Sequence, residues 1–190
     1  MKINLPKIIF RRSRLYDEAL AREPDWKKPE ESFMKEHFQK IQDEWKPVET
    51  NMLKAISSIT KLPWGEKEIV IYFTYGIVPY SDPLTINPVS NIHTITHELI
   101  HRILSRPQEN KEKIKDNWDS LMDEYKDEDQ KCRTHIVIHA IHLAILKKHF
   151  DNKTIQEEMI QVKHPDYIRS WEIVKRDGYE IIILKLTKGL

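Results

Sequence analysis

Cysteine is nearly missing from this chain, with Cys132 the only one among 190 residues. No intramolecular disulfide can form, and any metal site has to be built from histidine and carboxylate ligands. That usage fits a reducing compartment, and the expected location is cytoplasmic. An excess of charge of one sign is missing too. Lys and Arg number 31 against 30 Asp and Glu, a formal net charge of +1, which argues against nucleic acid or an anionic membrane as the main partner. The one basic cluster, Arg11, Arg12 and Arg14, is short and has no interleaved aromatic residues. Long apolar runs are also lacking. The longest, Ile136 to Leu146, is about half of the roughly 20 residues a bilayer needs, and it carries His139 and His142. The opening MKINLPKIIFRRSR is broken by Pro6 and Lys7 and then turns basic, the wrong order for a secretory signal. A soluble protein with no nucleic-acid and no membrane partner is expected, and a homo-oligomer is left open.

What is present suffices for one core: 39% of the residues are hydrophobic, so a single domain over 1–190 is expected. Residues 1–28 read as an extended arm or short helix, with Pro24, Trp26 and Pro29 in the stretch EPDWKKPEE. From 29 to 59, Phe33, Met34, Phe38, Ile41 and Trp45 recur at helical spacing, and Pro47 should divide the segment. EIVIYFTY (68–75) reads as a buried strand, and Leu84 to Asn87, in a proline-containing stretch, as an edge strand. A helix capped by Asn91 or Ser90 follows, with an apolar stripe of Ile92, Ile95, Leu99, Ile100 and Ile103, and Pro107 ends it. The lower half, 107–190, reads as an amphipathic helix over 108–130 and an apolar one from Cys132 to Phe150. Two further helices, about 154–162 and 165–175, and a short strand or tail at Tyr179 to Leu186 complete it. The fold class expected is α+β, with a small antiparallel or mixed sheet near the N-terminus and a mostly helical C-terminal half.

His97-Glu98-Leu99-Ile100-His101 falls on the helix that Asn91 opens. Positions i and i+4 lie one turn apart on one helix face, so two imidazoles can reach one metal ion, with Glu98 beside them to act on a metal-bound water. Zinc lowers the pKa of that water, and the glutamate takes its proton and returns it to the leaving amine. At this chain's His and Glu frequencies, roughly 0.04 chance occurrences of the pattern are expected. A catalytic zinc takes three protein ligands, and the third has to come from Glu124, Glu128, His135, His139 or His142. In THIVIHAIHLAIL (134–146) the histidines at 135, 139 and 142 share one stripe of an apolar helix, where an unpartnered imidazole is costly. His135 is the leading ligand and His139 its supporting partner or alternative; His142 and His93 read as packed histidines. Tyr80, Tyr125 and Tyr167 are unranked candidates for a transition-state donor.

On the His97 to His101 motif the chain resembles the zincin metallopeptidases over about 40 residues, Glu68 to Leu104. The metzincin branch adds a glycine and a third histidine where this chain has Leu104 and Pro107. The resemblance is therefore to small gluzincin-like archaeal metallopeptidases, whose third ligand is a glutamate on a later helix, here Glu128 or Glu124. It implies a zinc cofactor, a peptide or protein substrate, and substrate strand addition at Leu84, Thr85, Ile86 and Asn87. Two other readings stand beside it: a non-catalytic protein stapled by zinc, and a peptidase held latent by its N-terminal arm.

Overall fold

The first apolar run, IIF, lies in strand β1 (Lys7–Arg12) of the computed structural model, which describes residues 4–20, 27, 29–161 and 163–190. Helices α1 (Arg14–Leu20), α2 (Glu31–Trp45) and α3 (Glu49–Thr60) follow, with the break between the last two at Pro47, as the sequence predicts. Strand β2 (Glu68–Phe73) alternates, burying Ile69, Ile71 and Phe73, the pattern of a sheet covered on one face. It pairs in parallel with β1, Ile8 opposite Ile69. Strands β3 (Tyr80–Ser81) and β4 (Leu84–Ile86) complete a mixed sheet in the order β1-β2-β4-β3. The fold is α+β with a small mixed sheet and a mostly helical remainder.

The described N-terminal residues are an extended segment and a short helix, as expected. The N-terminal arm is part of the sheet from Lys7 to Arg12: Ile8 is buried, and Arg12 pairs with Glu31 and Asp17. Pro24 and Trp26 of that arm lie outside the described residues. Two other expectations need correction. Leu84 to Asn87 is not an edge. β4 sits between β2 and β3, with Thr85 opposite both Tyr72 and Tyr80. The proline-flanked segment ahead of it folds back as a short hairpin and covers it, so Leu84, Thr85 and Ile86 are buried and the outer edge belongs to Tyr80 and Ser81. The half-buried Asn87 is engaged within its own loop, donating through Nδ2 to the Ile77 carbonyl at 2.9 Å. Strand addition at these four residues has no free edge to use.

The second correction concerns the C-terminus. Tyr179 to Leu186 is helix α9 (Tyr179–Leu186), not a strand. Its β-branched run suggests a strand, but Tyr179, Ile182, Ile183 and Leu186 fall at i, i+3, i+4 and i+7 and face the core, so helix packing overrides strand propensity.

Before it come α4 (Ile92–Ser105), α5 (Gln108–Glu124), α6 (Gln130–His149), α7 (Asn152–Gln161) and α8 (Pro165–Asp177). α6 is the centre of the lower half: every residue from His135 to Leu143 is buried, and the helix touches α3, α4, α5, α7, α8 and α9. A helix apolar on all sides has to lie inside the core. No helix among the described residues is long and apolar enough to cross a membrane.

Candidate metal site

The motif helix is fixed at both ends and along one side. At its start the Asn91 side chain accepts from the backbone N–H of His93 and of Thr94, each at 2.9 Å, while Thr94 Oγ1 accepts from the Asn91 N–H, a reciprocal cap. Along its buried side Leu99, Ile100 and Ile103 are fully enclosed, each contributing about 1.5–3 kcal/mol. Arg102 ties it to the sheet side, donating to both carboxylate oxygens of Glu66 at 2.7 and 2.6 Å and to the Ser81 carbonyl at 2.9 Å. Beyond the last turn, Asn110 is fully buried and donates to the carbonyls of Pro63 and Ile103, closing the corner into α5. Rotation of α4 about its axis is thereby excluded, and His97 and His101 face α6.

Between the two helices, His97 and His101 bring their Nε2 atoms to 3.2 Å of each other. Two nitrogens on one tetrahedral zinc, each about 2.0–2.1 Å from it, stand about 3.3 Å apart, so this pair already has the spacing of ligands. His135 joins them from α6, and ligand atoms of the three residues all lie within 4.8 Å of one another, close enough to hold a metal ion. Its ring stacks on His97 at 5.4 Å. His135 Nδ1–H donates to the Lys131 carbonyl at 2.8 Å, which fixes the tautomer and leaves the Nε2 lone pair free for a metal. His135 is buried, while His97 and His101 are half-buried, so the cluster opens on solvent.

The other candidate ligands are turned elsewhere. His139 is held by α8: Ser170 donates to the Tyr167 carbonyl and accepts from His139 Nδ1–H at 2.7 Å, and the indole of Trp171 stacks on the imidazole at 4.1 Å and 6°. Glu128 receives Arg169, with its nearest approach at 2.6 Å, and Glu124 receives Lys185 at 2.6 Å. Glu128 also precedes α6, which begins at Gln130. His142 is buried with Nε2 unpartnered among the described residues, and His93 packs edge-on to Phe150. Of the three tyrosines, Tyr80 is exposed at the sheet edge and Tyr125 donates to Asp177. Tyr167 covers the site, its ring 4.1 Å from that of His135. A sequence signal for it exists: Tyr167, Ser170, Trp171 and Val174 lie at i, i+3, i+4 and i+7 of α8, the face that meets α6.

The donor set fits a cation such as zinc. Burial first, and then neighbouring imidazoles, hold His97 and His139 well below the ordinary histidine range and bring His101 down to about 3. Burial likewise lowers His135. At neutral pH these rings are uncharged, the state in which imidazole binds metal. Glu98 is buried, with 8% of its surface exposed, and burial alone pushes its carboxyl up to about 7. Burial first, and then the charge of Glu98, raise the Tyr167 hydroxyl. A chemical group titrating near the working pH, beside three neutral imidazoles and a neutral phenol, can exchange a proton with a water held there. Compared with protein-family models, with curated proteins and with solved structures, the chain finds no match.

Proposed function

We propose that this protein is a zinc-dependent metallopeptidase of the zincin kind, with His97, His101 and His135 as metal ligands and Glu98 as general base. The observation that carries the reading is the partly exposed cluster of three mutually close imidazoles, with the buried carboxylate of Glu98 next in sequence to the first of them. Structural zinc sites are closed by four protein ligands, whereas catalytic ones keep a position for water. Here His139, the nearest candidate for a fourth, is engaged by Ser170 and Trp171.

A bound zinc ion would supply Lewis acidity and bring the pKa of an associated water towards about 7. Glu98 takes the proton of the water that attacks the peptide carbonyl and then delivers it to the departing amine nitrogen. Tyr167, with its hydroxyl kept protonated, donates to the oxygen on which negative charge develops. His139 acts through packing, holding the α6–α8 contact that presents His135 and Tyr167 together.

Purified protein loaded with zinc is expected to carry one ion per chain by elemental analysis, and His101→Ala to carry none. Stoichiometric zinc in that variant removes the reading. Glu98→Gln is expected to keep the metal and lose roughly 10²–10⁴-fold in cleavage of a mixed peptide library; undiminished turnover would take the general base away from Glu98. A protein that binds zinc, cleaves nothing and is indifferent to Glu98→Gln would instead be a metal-stapled module.

A further inference from the structure

A cavity of about 550 Å³ shares a wall with the candidate metal site: His101 lines both. It lies where the end of α4, the first turns of α5 and the start of α6 diverge. Its deep walls are apolar, made by Leu104, Ile114, Trp118 and Ile138, of which Leu104, Ile114 and Ile138 are buried. Charged residues stand only at the mouth and are exposed. There Lys115 is paired with Asp119 at 2.7 Å, and the Glu112 carboxylate accepts from the Gln108 amide. No carboxylate, ammonium or guanidinium lines the deep walls among the described residues, so a charged group entering there would lose its hydration without a partner. Cavities of 300–1,000 Å³ lined in this way are the usual size for binding small apolar groups, and this one has room for any amino-acid side chain.

We infer that this cavity is the specificity pocket of the proposed peptidase and that it accepts a large apolar or aromatic side chain of a peptide substrate, from the residue placed beside His101. The inference rests on the peptidase reading for its substrate. The pocket itself is a separate physical claim. Its occupant is set by Trp118, whose indole is the one large half-buried surface in the wall, and by the lack of any buried charge. A phenylalanine or leucine side chain gains its burial there, an alanine leaves the space unfilled, and an aspartate or lysine is desolvated. In hydrophobic pockets of this sort, differences of one to a few methylene groups correspond to about 10- to 200-fold in kcat/KM.

The test uses the zinc-loaded full chain and peptides identical except at one randomised residue. The expected result is cleavage at sites where phenylalanine or leucine is preferred over alanine by at least about tenfold, with aspartate and lysine lower still. Trp118→Ala is expected to reduce the phenylalanine-to-alanine ratio by about tenfold, and Trp118→Leu, which keeps more of the packing, to reduce it less. Peptides cut with a flat preference, or a ratio unmoved by both variants, would overturn the pocket while leaving the peptidase reading standing. A second measurement does not need turnover: N-acetylphenylalanine amide titrated into the protein and followed by NMR. Shifts centred on the Trp118 indole and the Ile138 methyls, absent with N-acetylaspartate amide, support the pocket even if no peptide is cut. No shift at either group with the phenylalanine probe overturns it.

Discussion

Replacing Glu98 by glutamine should stabilise the metal-free protein while removing its proposed activity. The carboxyl is raised from 4.5 to about 7 by burial, and no hydrogen bond to it is seen among the described residues to offset the loss of hydration. In the unfolded chain it ionises freely. Below about pH 4.5 both states are protonated and the shift has no effect on stability. As pH rises the unfolded state gives up its proton first, so the folded state is progressively disfavoured until about pH 7, above which the penalty is constant. A carboxyl raised from 4.5 to about 7 corresponds to about 3 kcal/mol at pH 8, falling to about 1 kcal/mol at pH 5. For a chain of this length that is about 6–12 °C in Tm at pH 8. The assay is thermal unfolding of wild type and Glu98→Gln in the presence of a chelator, at pH 5, 6, 7 and 8. A gain that grows across this range supports the burial argument. Equal stability at pH 8, or a gain that does not vary with pH, would mean that the carboxylate is well solvated or well paired, and the case for a poised base at Glu98 would go with it.

The histidines titrate with the opposite sign. His142 and His101 are held at about 3 mainly by burial, so below pH 6.5 the unfolded chain takes up protons that the folded one refuses, and stability falls as acid is added. At pH 5 the loss is about 2 kcal/mol for the buried His142 and somewhat less for the half-buried His101; in the Glu98→Gln background, where the opposite contribution of Glu98 is removed, urea denaturation of the chelator-treated protein at pH 7 and pH 5 should differ by several kcal/mol, and equal midpoints there would contradict it. His142→Leu removes the unpartnered buried nitrogen and should both raise stability by about 1–3 kcal/mol and flatten the acid slope; a less stable variant would mean that Nε2 is satisfied by an ordered water. Gly65→Ala places a methyl closer than 3.0 Å to the ring of Pro107. It should destabilise the corner between α4 and α5 by about 1–3 kcal/mol, read as a lower urea midpoint, and a neutral substitution would show that this corner yields freely.

Much of the site was readable because its first half is local. Asn91, the apolar spacing from Ile92 to Ile103 and the two histidines one turn apart all belong to one helix, and each constrains the others. The third member of the cluster was harder to read for a physical reason. His135, His139 and His142 lie on one stripe, and which of them meets α4 depends on the rotation of α6, set by non-local packing. Trp171 stacked on His139 and Ser170 bonded to it decide that rotation, and they lie some thirty residues away in sequence. Strand β1 is concealed for the same reason, since its partner β2 comes after three helices. The edge assigned to Leu84 failed because proline content shows where a strand cannot be central, but not that a two-residue strand will fold back and cover its neighbour.

The groups that weaken the fold without a metal are the groups that a cation would favour. Around His97 the buried side chains offer neutral imidazole lone pairs and one carboxylate. Cationic side chains on the helices that build the site are committed elsewhere: Arg102 to Glu66, Arg169 to Glu128, and Lys131 to His164 at 3.3 Å. Ionised Glu98 is unfavourable in such a place without a positive charge beside it and favourable with one. Metal binding and folding must therefore be coupled, with binding free energy appearing as stability. Above pH 7 the coupling should be larger in wild type than in Glu98→Gln, because the variant has no buried charge for the ion to relieve. A zinc-induced rise in Tm that is the same in both proteins at pH 8 would place the carboxylate too far from the ion to act on a water bound there, and the chemistry assigned to Glu98 would have no geometric basis.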